Sequence, residues 1–403
     1  FQFQVRSGRV SIFQDNQATR VAICGTSQSL NMRQRSRASA PITPTPVPQH
    51  FASHHAKPNL LLPSKVLGAL AVGLLVLLVL FGRAGDPEDI TLSSTVSGDA
   101  EYVAESDNKA KDGATEKSSS FVIAGYVPDY RLDHVIENMK SLEGIVTDLI
   151  LFSATLNGNM LDVSLIGETR LREAIVQARK HHIPRVLLTV GGAGRSAGFA
   201  QLASQPKERA KFALMTADLL EMYGLDGLDV DWEAPSNDAE VNFYIDLLAS
   251  LKAVFSHRKL ILSVTTHFWD QMGSRGYKLV DRVMLMAYDL GPQHARMQDT
   301  KKAVSMLVQR GLDPAGKLVL GIPAYGRRIE SPHEVITYAD LIRNHGVKAA
   351  DVDEYAGWSY NGLRTVREKK RWANDAQFAG IFLWEVGQDS LQHPSKSLLS
   401  AMG

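Results

Sequence analysis

The chain has a single cysteine, Cys24, among 403 residues, so no disulfide can close within it. A cysteine-free remainder neither demands nor excludes an oxidising compartment. Net charge is nearly absent too. The 44 Lys and Arg residues stand against 43 Asp and Glu, leaving +1 at pH 7, so nothing pulls the chain as a whole toward nucleic acid or acidic polymers. No residues have the spacing of a zinc site, and a metal held by Asp229 and Asp231 is a minor alternative. No metal or cofactor is expected, and no internal repeat is evident. What is present, 44% hydrophobic and 22% charged residues, is the composition of a soluble globular protein with room for one large domain and extras.

The balanced charge hides an asymmetry along the chain. Residues 1–65 carry eight Lys and Arg against one acid, Asp15, and six prolines punctuate their second half. That composition predicts a basic, disordered arm. Residues 66–82 (VLGALAVGLLVLLVLFG) are uncharged and bounded by Lys65 and Arg83. The run is at the short end of a membrane span, and it has no polar stripe that would give a core helix an outer face. A secretory leader would lie nearer the start of the chain, and a bipartite organelle-targeting leader is a further alternative. The expectation is one transmembrane helix acting as a signal anchor, with the basic arm cytoplasmic and the rest lumenal or extracellular. Residues 83–120 are acidic, rich in Ser and Gly, and predict a flexible linker.

From residue 121 short β-rich runs alternate with amphipathic stretches. Strands are predicted at 121–128, 147–153, 185–191, 226–232, 259–266, 281–287, 317–323 and 379–385. Helices are clearest at 168–181, 205–223, 237–255, 300–310 and 362–374, with Asn237 or Ser236 as a cap and Gly224 as a helix stop. Eight strand–helix units over 121–403 predict an α/β fold, a (β/α)8 TIM barrel. An open doubly wound sheet is the alternative, usually with fewer strands.

Within the fourth strand, Asp229, Asp231 and Glu233 are spaced by two. They share one face about 6.6 Å apart, while Leu228, Val230 and Trp232 take the other. Burying three like charges on one face is costly unless they share protons or meet a substrate. A barrel puts its active site at the C-terminal ends of its strands. There the sequence supplies Tyr126, Phe152, Gly191 and Gly192, Glu233, His267 to Trp269, Met286 to Asp289, Tyr325 to Arg327, and Trp384. Such a mouth offers carboxylates for acid catalysis and aromatic faces for sugar rings. The segment Gly192-x-Gly194-x-x-Ala197 matches a loose dinucleotide fingerprint, but that reading leaves the strand-four acids without a role. His267 is either a substrate contact or a surface histidine.

The run Asp226-x-x-Asp229-x-Asp231-x-Glu233 resembles the active-site motif of glycoside hydrolase family 18, the chitinase family. Gly191-Gly192, Met286-x-Tyr288-Asp289 and Trp384 follow the family's order over about residues 120–403. The resemblance implies a retaining glycosidase acting on β-1,4 links of N-acetylglucosamine polymers, chitin or chito-oligosaccharides. The substrate's own acetamido oxygen would be the nucleophile. Glu233 would be the general acid. Asp231 would hold the acetamido N–H, sharing a proton with Asp229, and Tyr288 would donate to the acetamido carbonyl. Asp289 would place the sugar, Trp384 would floor the reacting subsite, and Tyr126, Phe152 and Met286 would line it. Gly191 and Gly192 would permit close backbone approach. Asp226 would give electrostatic help or a structural hydrogen bond. The alternatives are an endo-N-acetylglucosaminidase on glycoprotein glycans or peptidoglycan, and a non-catalytic chitinase-like sugar-binding protein. Three positions depart from the family: Thr189 stands where Ser is frequent, Ala193 where many chitinases have Trp, and Ala234 where many have Tyr. About 55 residues between strands seven and eight leave room for two helices and little else, which predicts a shallow, open groove.

Overall fold

The computed structural model describes residues 121–403, apart from Pro292, together with three short segments near the start of the chain. Those segments, Phe3–Val5, Gly8–Asp15 and Ala18–Ile23, pair as an antiparallel three-stranded sheet. They lie within the arm expected to have no regular structure. The apolar run 66–82 and the acidic linker fall outside the described residues. Among the described residues no helix is long and apolar enough to cross a membrane.

Eight parallel strands close into a barrel. They are β1 (Val122–Pro128), β2 (Asp148–Asn157), β3 (Arg185–Gly191), β4 (Gly227–Asp231), β5 (Ile261–Thr266), β6 (Arg282–Leu285), β7 (Leu318–Pro323) and β8 (Gly380–Trp384). Each pairs with its sequence neighbours, and β8 pairs with β1 to close the ring. Both faces of such strands are covered, so they read as apolar runs with little alternation. The apolar residues separate into two clusters. One fills the barrel's interior, with Ala124, Ile150, Leu187, Met284, Val319 and Phe382. The larger one lies outside the strands, where Leu188, Val190, Leu228 and Val230 are buried with helical residues such as Leu220, Leu248 and Leu251.

The helices sit where periodicity placed them: Glu168–Lys180, Pro206–Tyr223, Asp238–Arg258, Met297–Gln309 and Leu363–Asp375. Asn237 caps the third of these by accepting from the Glu240 backbone N–H at 3.0 Å, and Gly224 ends the second in the left-handed region.

One expectation needs correction. The connection after β7 holds more than helices. Tyr325–Arg328, Val335–Thr337, Trp358–Ser359 and Glu354–Tyr355 form a four-stranded antiparallel sheet, accompanied by the helix Tyr338–His345. Strands of two to four residues are too short to show a period of two, so the sequence pattern could not reveal them.

Candidate active site

Strand register assembles the centre. Thr189 on β3 and Ser263 on β5 flank Asp229 on β4. Side chains at one level of a barrel point to the same interior, so the neighbours become donors. Asp229 Oδ2 accepts from Tyr126 Oη at 3.0 Å, Thr189 Oγ1 at 3.2 Å and Thr265 Oγ1 at 2.8 Å, while Oδ1 accepts from Ser263 Oγ at 2.7 Å. Burial pushes the Asp229 carboxyl up, and the four hydroxyls work against that rise without cancelling it. No cation is among these partners.

Asp231 lies one pleat higher and is 3% exposed. Its Oδ1 is buried without a hydrogen-bond partner. Burial pushes its carboxyl well above the usual range, and the charges of Glu233 and Asp229 push the same way. Both deep acids are thus raised, Asp229 against four donors and Asp231 with an oxygen that has none.

Glu233 stands at the rim, its side chain 24% exposed. Its backbone N–H donates to Ser196 Oγ at 3.0 Å, and its Oε2 is 3.5 Å from His267 Nε2. Gly191 and Gly192 both have φ near +98°. A Cβ on Gly191 would lie 2.2 Å from the Asp231 carbonyl oxygen, and one on Gly192 would lie 2.2 Å from the Phe152 ring. The bare backbone at 192 donates its N–H to the Asp231 carbonyl at 2.6 Å. No side chain fits either position.

Aromatic groups close the other side. Trp384 contacts Tyr126 (ring centroids 5.6 Å apart) and Phe152 (4.8 Å). Tyr288 is buried beside Tyr325 and Phe382, and burial holds its hydroxyl protonated far above its ordinary range. Met286 is buried in the wall of a cavity that also includes Glu233. Asp289 reaches the mouth but is already engaged. Arg327 contacts both its oxygens, Tyr325 Oη donates to Oδ2 at 3.0 Å, and His294 Nδ1 is 2.9 Å from Oδ1. Burial alone would raise the Asp289 carboxyl; Arg327 and His294 outweigh it and hold the group well below the usual range.

Asp226 is not part of this site. It precedes β4 at the opposite end of the barrel, where its Oδ2 accepts from Arg179 Nη2 and from the Val186 backbone N–H, each at 2.6 Å. Seven residues of extended chain separate it from Glu233, about 23 Å. Of the two roles open to it, only the structural hydrogen bond fits that place. Ser263, Thr265, Ser196 and His294 also belong to the site, although no motif in the sequence singles them out. Ser263 and Thr265 had a signal, their spacing of two along a strand, whereas Ser196 and His294 lie in loops that only the fold brings near.

A family model, Glycosyl hydrolases family 18, matches residues 122–389. The chain belongs to that family. It is 27% identical over 266 residues to the Class V chitinase CHIT5b of Medicago truncatula, covering 51% of this chain and 70% of that one. It is 28% identical over 152 residues to a secreted chitinase of Penicillium expansum, of which it spans only 10%. The GH18 chitinase of Cycas revoluta, solved in complex with (GlcNAc)3, shares the fold with a TM-score of 0.60 and 21% identity, over 70% of this chain and 98% of that one.

Proposed function

We propose that this family 18 chain is a retaining glycosidase that hydrolyses β-1,4 links of N-acetylglucosamine polymers, with Glu233 as general acid. The observation that carries the reading is Asp231. Its carboxyl is buried, lacks a cation, leaves Oδ1 unpartnered and sits one pleat below Glu233. An acid whose ionisation is disfavoured by burial and like charge is a poor nucleophile, which disfavours the two-carboxylate scheme. It suits a supporting role instead. When a positive oxazolinium forms beside it, the nearby cation favours the Asp231 carboxylate, and the proton that Asp231 gives up passes to Asp229. Tyr288, with its proton secure, donates to the acetamido carbonyl, and Trp384 gives the sugar a flat face. The names of the chitinase relatives and the (GlcNAc)3 bound to the Cycas revoluta enzyme support this substrate class.

Glu233→Gln should lower kcat on chito-oligosaccharides by about 10³-fold while leaving oligosaccharide binding measurable. Undiminished turnover would remove Glu233 from its role. Hydrolysis of the de-N-acetylated oligosaccharide at a comparable rate would refute substrate assistance. The signal-anchor reading rests on residues 66–82 alone. Protease protection of the barrel in sealed vesicles tests it, and complete digestion from the cytoplasmic side would overturn it.

A further inference from the structure

Lys369 is fully buried, and nothing in the chemistry above uses it. It sits on the helix Leu363–Asp375 that leads into β8. Its Nζ donates to the Ala295 carbonyl and to Asn361 Oδ1, each at 2.8 Å. Neither bond is to a carboxylate. The nearby acids are engaged elsewhere or face solvent. Asp353 accepts from the Gly362 N–H at 2.9 Å and from Thr365 Oγ1 at 2.6 Å, Asp299 pairs with Arg296, and Glu368 is exposed. Burial outweighs the pull of these acids and pushes the amine down to about 7. Burying an amine without an ion pair is costly, so the two bonds it makes mark a place that is held.

What it holds is the far end of the loop after β6. Ala295 belongs to the interior cluster with Tyr288 and Tyr325, and its carbonyl accepts a second bond from Asn361 Nδ2 at 2.9 Å. The residue before it, His294, grips Asp289. Its Nδ1 lies 2.9 Å from Asp289 Oδ1 and its Nε2 lies 3.1 Å from the Tyr325 carbonyl oxygen. The Leu290 N–H donates to the His294 carbonyl at 2.8 Å. Asp289 and His294 have φ of 58° and 57°. Left-handed backbone at residues other than glycine persists where the surrounding structure over-determines it. We infer that Lys369 is a positioning residue for the reaction: by holding Ala295 it keeps His294 and Asp289 in their turned conformation, and so fixes Asp289 and the adjoining Tyr288 against the reacting sugar. The inference rests on the glycosidase reading above.

Lys369→Met keeps the apolar stem and removes the donor. Corrected for the folded fraction, it should lower kcat on chito-oligosaccharides about 10-fold and leave KM within about 2-fold, because Asp289 and Tyr288 shift while the rest of the groove does not. A change carried by KM alone, or none in either constant, would overturn the inference. In the Asp289→Asn protein the same substitution should cost less than about 2-fold, since its effect passes through Asp289. A full second 10-fold loss there, or an Asp289→Asn protein as active as wild type, would overturn it too. Where Lys369→Met does not fold, Asn361→Ala takes its place. It removes the second donor to Ala295 and should lower kcat about 3-fold with the same non-additivity, and additive losses would count against the inference. Amide hydrogen exchange reads the anchor without substrate. Lys369→Met should speed exchange at Leu290 and His294 about 10-fold and leave the barrel strands as they are. Unchanged exchange at those two amides, or equal acceleration throughout the barrel, would reduce Lys369 to a stabiliser of the fold and end the positioning role. If wild type hydrolyses no chito-oligosaccharide while exchange responds as expected, it is the catalytic reading that fails and not the anchor.

Discussion

The two ends of the barrel treat buried acids in opposite ways. At the bottom, Asp148 is fully buried and clamped between Arg185 and Arg282, with contacts of 2.5 to 2.7 Å. Burial alone would raise its carboxyl, but the two guanidinium groups prevail and hold it below the usual range. Asp226, at the same end, is paired with Arg179. At the mouth, Asp229 has hydroxyls only, Asp231 has an unpartnered oxygen, and both carboxyls are raised. A buried carboxylate clamped by two guanidinium groups, as Asp148 is, is held ionised and contributes structure. A buried carboxylate denied them keeps its proton negotiable, which is what proton transfer and cation stabilisation at a sugar need. Asp226 and Asp231 belong to one eight-residue run, yet they fall on opposite sides of this division.

Variants can break the contrast. Asp148→Asn strands two partly buried guanidinium groups and should lower the free energy of unfolding by about 3 kcal/mol at neutral pH, read from a denaturant melt. Any activity it loses should track unfolding. Asp231→Asn should do the reverse, lowering kcat about 100-fold while leaving the melt unchanged or slightly higher, because it removes a costly buried group. A large loss of stability in Asp231→Asn would place that residue with the structural acids. Ser263→Ala removes the sole donor to Asp229 Oδ1 among the described residues. It should cost about 1 kcal/mol and raise the Asp229 carboxyl further, seen as an upward shift in the acidic limb of the rate profile.

A further effect concerns pH. Glu385, buried after Trp384, is pushed by burial up to about 7 against the opposing pull of Arg131. Its contribution to stability is present below the ordinary Glu range and is lost as pH rises through about 7. Asp148, held low, contributes above the ordinary Asp range and loses that contribution as pH falls. Glu385→Gln should therefore flatten the stability curve between about pH 4.5 and 7 and leave the acid limb intact. An unchanged slope across that window would show that Arg131 holds Glu385 ionised.

How much was legible depended on distance along the chain. The eight barrel strands and five of the helices could be read because burial on a strand or helix repeats locally, at a period that survives in the sequence. The spacing of Asp229, Asp231 and Glu233 placed all three on one face for the same reason. The small sheet after β7 escaped because its strands are shorter than the period that would betray them. Asp226 was grouped with its neighbours because a motif records order, whereas strand direction decides which end of a barrel a residue occupies.

The sequence by itself determined the barrel and set three acids on its inner face, since side-chain alternation is a property of the extended backbone. Only the tertiary structure decided what each acid became. The hydroxyls of Thr189, Ser263, Thr265 and Tyr126 reach Asp229 from three other strands, and Arg185 and Arg282 reach Asp148 from two. Whether a buried carboxyl finds a cation, a hydroxyl or nothing depends on strand register around a closed ring, and that is set by contacts between residues from 34 to 134 positions apart.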